Sequence, residues 1–141
     1  MRVTAVDVYI KSVWSKGKGK AAGLMVCTRR DGMDVSKMVV VESEESRNRM
    51  HLELVDKVLG MLAYECSVGI YIEDLMLRNA VENKWYEKWQ ENDWKKSSGK
   101  EVANKDIWQS ITPKLNMHDV GVCRYINAHD KELQKELEKE N

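Results

Sequence analysis

His51, His129 and Asp74 are the side chains of this sequence best suited to acid–base or metal chemistry, since imidazole nitrogen and carboxylate oxygen are ligands for zinc or manganese. Nothing nearby in the sequence supplies a fourth ligand, so a chance grouping is the expectation. A second chemistry is phosphate binding. Lys16, Gly17, Lys18, Gly19 and Lys20 alternate ammonium groups with bare backbone, a pattern that can cradle phosphates or simply make a solvated hairpin connection. A third concentration lies between residues 84 and 106, where Trp85, Trp89, Trp94 and Trp108 interleave with or adjoin six lysines and five acids. That near-balance is a weak phosphate footprint, and the tryptophans at helical spacing are expected to be mainly core. Cys27, Cys66 and Cys123 have no paired spacing and apolar neighbours, so they are expected to be reduced core residues.

Whatever chemistry these residues do, a chain of 141 residues and 16.4 kDa is the size of one domain with one substantial core, and residues 1–141 are expected to form it. Twenty-three basic residues match 23 acidic ones, so any nucleic-acid surface must be local. No apolar run approaches the length needed to cross a membrane, and no charged start precedes an apolar signal core. A cytoplasmic protein without membrane partners is expected.

The elements that must position the candidates can be read from periodicity. Residues 3–10, 23–28 and 38–41 are rich in β-branched and apolar types and read as three strands of an antiparallel meander. The stretch 15–20 between the first two reads as a flexible, exposed turn. From Arg49 onward, Leu54, Val55, Val58, Leu59, Leu62 and Ala63 recur with helical spacing, giving a helix with one buried stripe. Residues 67–72 read as a fourth strand, with Asp74 just past its C-terminal end, where open α/β sheets place ligands. A helix over 75–94, a helix over 105–115 ending near Pro113, a last strand over 120–126 and a short charged C-terminal helix complete the order.

Asn48, Arg49, Met50 and Leu52, with the series Trp85, Trp89, Trp94, Lys95, Lys96, Asn104, Asp106 and Trp108, resemble ribonuclease H type 1 in order and spacing. The likeness runs from about Val3 to Leu133. It implies an α/β, ribonuclease H-like fold: a mixed five-stranded sheet, three antiparallel strands first, with helices on both faces. It also implies an enzyme that cuts the RNA strand of an RNA/DNA hybrid with two divalent cations, magnesium or manganese, held by about four carboxylates.

Mapped onto this sequence, the resemblance places Lys11 and His51 where the first two metal-binding carboxylates belong. Asp74 keeps the third and is the one clear remaining metal ligand. His129 matches the histidine of the loop before the last helix, and Lys131 or Lys135 falls at the last carboxylate. Lys11 is expected to pair with Asp74 as an internal counter-ion. The implied nucleic-acid contacts are Lys16, Lys18, Lys20, Asn48, Lys84, Lys88, Trp89, Lys95 and Lys96. The function expected is a degenerate, non-catalytic domain binding RNA/DNA hybrid or structured RNA, with no cofactor unless magnesium or manganese serves residual activity. The alternatives are an active nuclease with an altered metal site and a protein-interaction module with a protein partner.

Overall fold

In the computed structural model, residues 4–28, 32–126 and 128–139 are described. The expected start of the first strand at Val3, residues 29–31 between the second and third expected strands, and Asn127 before His129 lie outside them. Five strands and five helices follow in the order β1 (Thr4–Ser15), β2 (Lys18–Thr28), β3 (Asp34–Ser43), α1 (Arg47–Gly60), β4 (Cys66–Tyr71), α2 (Leu75–Glu82), α3 (Trp85–Glu91), α4 (Lys105–Met117), β5 (Asp119–Cys123) and α5 (Asp130–Glu138). The strands form one sheet in the order β3-β2-β1-β4-β5, with β1, β2 and β3 antiparallel and β4 and β5 parallel to β1. This is the mixed sheet expected from the element order.

The alternation of β1 decides what each face carries. Val6, Val8 and Ile10 are buried on the face covered by α1, where they join Met50, Leu54, Val58, Val68, Ile70 and Trp108 in the larger core. Asp7, Tyr9 and Lys11 face the other way. There Leu133 and Leu137 of α5 close a smaller cluster over Ala22 and Leu24, with Tyr9 packed against it.

The 15–20 stretch is tighter than its composition suggests. Ser15 pairs with Lys18 across a two-residue turn, and Lys16 and Gly17 both take positive φ, 55° and 79°, the backbone of a type I′ hairpin turn. A Cβ on Gly19 would run into the Trp14 ring and the Val13 carbonyl, so glycine is required at that close approach.

Three further expectations are corrected. The 75–94 helix breaks in two, because Lys84 takes a left-handed φ of 52° and ends one helical run before the next begins. The helix expected over 105–115, ending near Pro113, runs through the proline and on to Met117; the carbonyl the proline leaves without its usual donor belongs to Gln109, on the exposed face. Of the cysteines only Cys66 is buried; Cys27 is half-buried and Cys123 exposed, since β5 is an edge strand whose alternate residues face solvent.

Lys20 is also corrected, from a phosphate contact to a structural residue. It is 9 % exposed, and its Nζ donates to the carbonyls of Glu136, at 2.9 Å, and Lys139, at 3.1 Å, at the C-terminus of α5. An ammonium there adds a donor to carbonyls at the end of the helix and meets the negative end of the helix dipole. Lys20→Met, similar in length but without the charge, is expected to cost about 1–2 kcal/mol. Amide hydrogen exchange should show the loss concentrated in α5.

Candidate functional site

The side chains singled out for chemistry separate onto the two faces of the sheet. On the α1 face, Ser46 caps α1 by accepting from the Arg49 N–H, which sets the first turn so that Met50, His51 and Leu52 are all buried. His51 is 1 % exposed. Its Nδ1 lies 2.7 Å from Oδ2 of Asp74, and its Nε2 lies 2.8 Å from Oγ of Ser12. Ser12 continues the inward row of Val6, Val8 and Ile10 beyond the end of β4, and so reaches the helix.

Asp74 is the N-cap of α2, its Oδ1 accepting from the Leu77 N–H at 2.9 Å. Burial alone would raise its carboxyl, but hydrogen bonds from His51, the Leu77 N–H and Asn48 outweigh that and hold it below the ordinary aspartate value. Asp74 is therefore a carboxylate and accepts only. The proton between it and His51 belongs to Nδ1, and in the neutral imidazole Nε2 then accepts from the Ser12 hydroxyl.

On the α5 face, Lys11 Nζ donates to Oδ1 of Asp130 at 2.8 Å, and the Tyr125 hydroxyl donates to the same oxygen at 2.6 Å. The Lys11 and Tyr125 hydrogen bonds hold the Asp130 carboxyl below its usual value, while burial and Asp130 push the Tyr125 phenol up to about 12. His129 packs its ring 4.7 Å from that of Tyr9, which stacks on Tyr71 at 4.9 Å. The expected Lys11–Asp74 pair is thus replaced by two others, Lys11–Asp130 and His51–Asp74. The reason is the period of two: Lys11 points to the face opposite the one carrying His51 and Asp74. His129 is on Lys11's face, and its contacts are to Tyr9 and Glu132. Among the described residues, no three His, Cys, Asp or Glu side chains are grouped to hold a metal ion.

Two members of the site were not anticipated. Ser12 could have been found by extending the inward alternation of β1 by one step. Asp130 could have been noticed as an acid in the first turn of the last helix, but its pairing with Lys11 spans 119 residues and has no local signal.

Beside these pairs, Arg49 ties α1 to α4. Its guanidinium donates to both Asp106 oxygens, at 2.9 and 2.7 Å, and also pairs with Glu45 and Glu53. Hydrogen bonding to Arg49 lowers the Asp106 carboxyl to about 2. Asn48 accepts from Asn104 Nδ2, so the Asn-Arg stretch braces the N-terminus of α4.

Among the tryptophans, Trp108 is 1 % exposed, stacked on Tyr86 and edge-on to Trp89. This is the core role expected. Trp85 and Trp89 are only half-buried, and with Lys88, Asn92, Lys95, Lys96 and Ser97 they line a groove of about 490 Å³. Lys84, Lys88, Lys95 and Lys96 are all exposed. Lys16 and Lys18 are exposed at the hairpin, although the cleft beside it contains Glu42, Glu44, Glu45 and Glu53, which disfavour an anion within it.

Residues 6–139 match the family model for RNase H. The chain belongs to the ribonuclease H family. It is 37 % identical over 115 residues to the ribonuclease H of Caldicellulosiruptor saccharolyticus, covering 82 % of this chain and 78 % of that protein. It is 37 % identical over 95 residues to the ribonuclease H of Oleidesulfovibrio alaskensis, covering 67 % and 61 %. The match to the ribonuclease H of Nitratidesulfovibrio vulgaris, 40 % identical over 75 residues and 53 % of this chain, spans 48 % of that relative. Among solved structures, LC9-RNase H1, a type 1 RNase H with the type 2 active-site motif, superimposes with a TM-score of 0.75 at 22 % identity, over 96 % of this chain and 71 % of that one. The foamy viral protease-reverse transcriptase in complex with RNA/DNA hybrid gives 0.66 at 11 % identity, over 96 % and 19 %. At these identities the structural matches establish the fold.

Proposed function

We propose that residues 1–141 act as one ribonuclease H-like domain that binds RNA/DNA hybrid, or structured RNA, without two-metal hydrolysis. The observation that carries this reading is the pairing of Lys11 with Asp130 and of His51 with Asp74. In the family, magnesium or manganese supplies activation of the attacking water and neutralises charge on the leaving oxygen. The side chains present do not fit such ions. Both Asp74 oxygens already accept hydrogen bonds, and Lys11 places a cation beside Asp130 where hard-cation binding would need uncompensated carboxylate charge. Binding is supported by the half-exposed Trp85–Trp89 pair, which can lie against a duplex, and by the exposed lysines around it, which can meet phosphates.

The relatives named ribonuclease H support a second reading, an active nuclease with an altered metal site. A third reading is an interaction module for a protein partner. One assay with labelled hybrid in magnesium or manganese separates them. The expected result is salt-sensitive binding with no cleaved product. Cleavage that disappears in Asp74→Asn would establish the enzyme instead, and neither binding nor cleavage would favour a protein partner.

A further inference from the structure

The His51–Asp74 pair extends to a third group, the Ser12 hydroxyl, which the nucleic-acid reading does not use. A hydroxyl, an imidazole and a carboxylate from three separate elements, β1, α1 and the N-cap of α2, are linked at 2.8 and 2.7 Å, with the acid accepting at Nδ1 and the hydroxyl donating at Nε2. A nucleophile within reach of a base, the base held by a third group, is the arrangement that activates serine. Asp74 is itself fixed by the Leu77 N–H, and His51 is enclosed in the core, so the imidazole cannot easily rotate out of line. Ser12 itself is half-buried, less enclosed than His51.

We propose that Ser12 is an activated nucleophile that accepts the acyl group of small, uncharged carboxylic esters, with His51 as its base and Asp74 orienting the imidazole. The strand around it favours this chemistry. The ladder between β1 and β4 ends at Tyr9 and Tyr71, so from Ile10 to Ser15 β1 is paired only with β2. Alternate N–H groups of that overhang face the side with no strand and can donate to the oxygen of a tetrahedral intermediate. Trp14, two residues on along Ser12's face and half-buried, offers an aromatic edge to the organic part of the ester.

In the first step, Oγ bonds to the ester carbonyl carbon and its proton passes to Nε2. The bond from carbon to the leaving oxygen then breaks, and that oxygen takes the proton from Nε2. In the second step, water gives a proton to Nε2 and hydroxide to the acyl carbon; the Oγ–carbon bond breaks and Oγ recovers the proton, releasing the acid. No metal or co-reactant enters.

The test uses the whole chain with 4-nitrophenyl acetate and, separately, phenylmethylsulfonyl fluoride, at pH 8 with a chelator, followed by peptide mapping. Neither reagent is a nucleic acid, so the outcome is independent of hybrid binding. The expected result is an adduct on Ser12 formed at least about 100-fold faster than on the exposed Ser15 and Ser67, the scale contributed by a positioned base. 4-Nitrophenolate release should fall by a similar factor in Ser12→Ala and His51→Gln. The comparison among serines of the unaltered chain holds even where a variant folds poorly. Ser12 labelled no faster than Ser15 and Ser67, or not at all, overturns the proposal, as does labelling of Ser12 at an unchanged rate in folded His51→Gln.

Discussion

Replacing His51 with alanine is expected to lower the unfolding free energy by about 2–4 kcal/mol, measured by denaturant titration. The imidazole is 1 % exposed and held between Ser12 and Asp74, and its loss leaves a void in a packed interior. It also strips hydrogen bonds from Asp74 and Ser12, and a buried polar group left without its partner costs more than the bond contributed. The variant should also be more sensitive to acid. Because the folded state holds the Asp74 carboxyl below its unfolded value of about 3.9, Asp74 contributes stability above that pH, and the contribution is lost as pH falls through the folded value. Asp106, lowered to about 2 by Arg49, acts in the same direction. The unaltered chain should therefore keep these contributions down to about pH 4 and lose them below it. In His51→Ala the Asp74 contribution should be smaller and its loss complete at higher pH. An acid titration followed by tryptophan fluorescence, with Trp108 as reporter, would show no change of midpoint if the His51 bond were unimportant.

The second large effect concerns binding. Converting Lys88, Lys95 and Lys96 together to serine is expected to weaken hybrid binding by about a hundredfold at moderate salt and to reduce the salt-dependence slope by about two to three units, since each phosphate contact contributes close to one unit. All three are exposed, so the thermal midpoint should change little. The same change at Lys16 and Lys18 should do less, because Glu42, Glu44, Glu45 and Glu53 line the cleft beside them. Fluorescence anisotropy of a labelled hybrid at several salt concentrations distinguishes the two sets. An unchanged slope in the triple variant would remove the Trp85–Trp89 groove from the interface.

Much of the fold is legible in the sequence because it follows from local periodicity. The apolar stripe of α1, the β-branched runs of the strands and the helical crossover between β3 and β4 already imply three antiparallel strands followed by a parallel one, and a second crossover joins β4 to β5. The Asn-Arg-Met stretch and the spacing of Trp85, Trp89, Trp94 and Trp108 similarly pointed to the family that the model match establishes. Backbone exceptions were less visible. Lys84 takes a left-handed conformation without being glycine, so nothing in its type announces the break between α2 and α3. Pro113 reads as a helix end, yet it sits on an exposed face and the helix continues through it.

For the site, the sequence by itself determined the inventory: Lys11, His51 and Asp74, with Lys131 or Lys135, are the residues that the resemblance implies for the family's metal-binding positions. Tertiary structure decided the pairing. Lys11 and Ser12 are neighbours in the chain but point to opposite faces of the sheet. Lys11 therefore meets Asp130 of α5, while Ser12 meets His51 of α1 and, through it, Asp74. Residue types can be read from a sequence, whereas the partner of a side chain on a strand depends on which helix covers its face, and contacts across 119 and 39 residues exist only once the sheet and its two layers have formed.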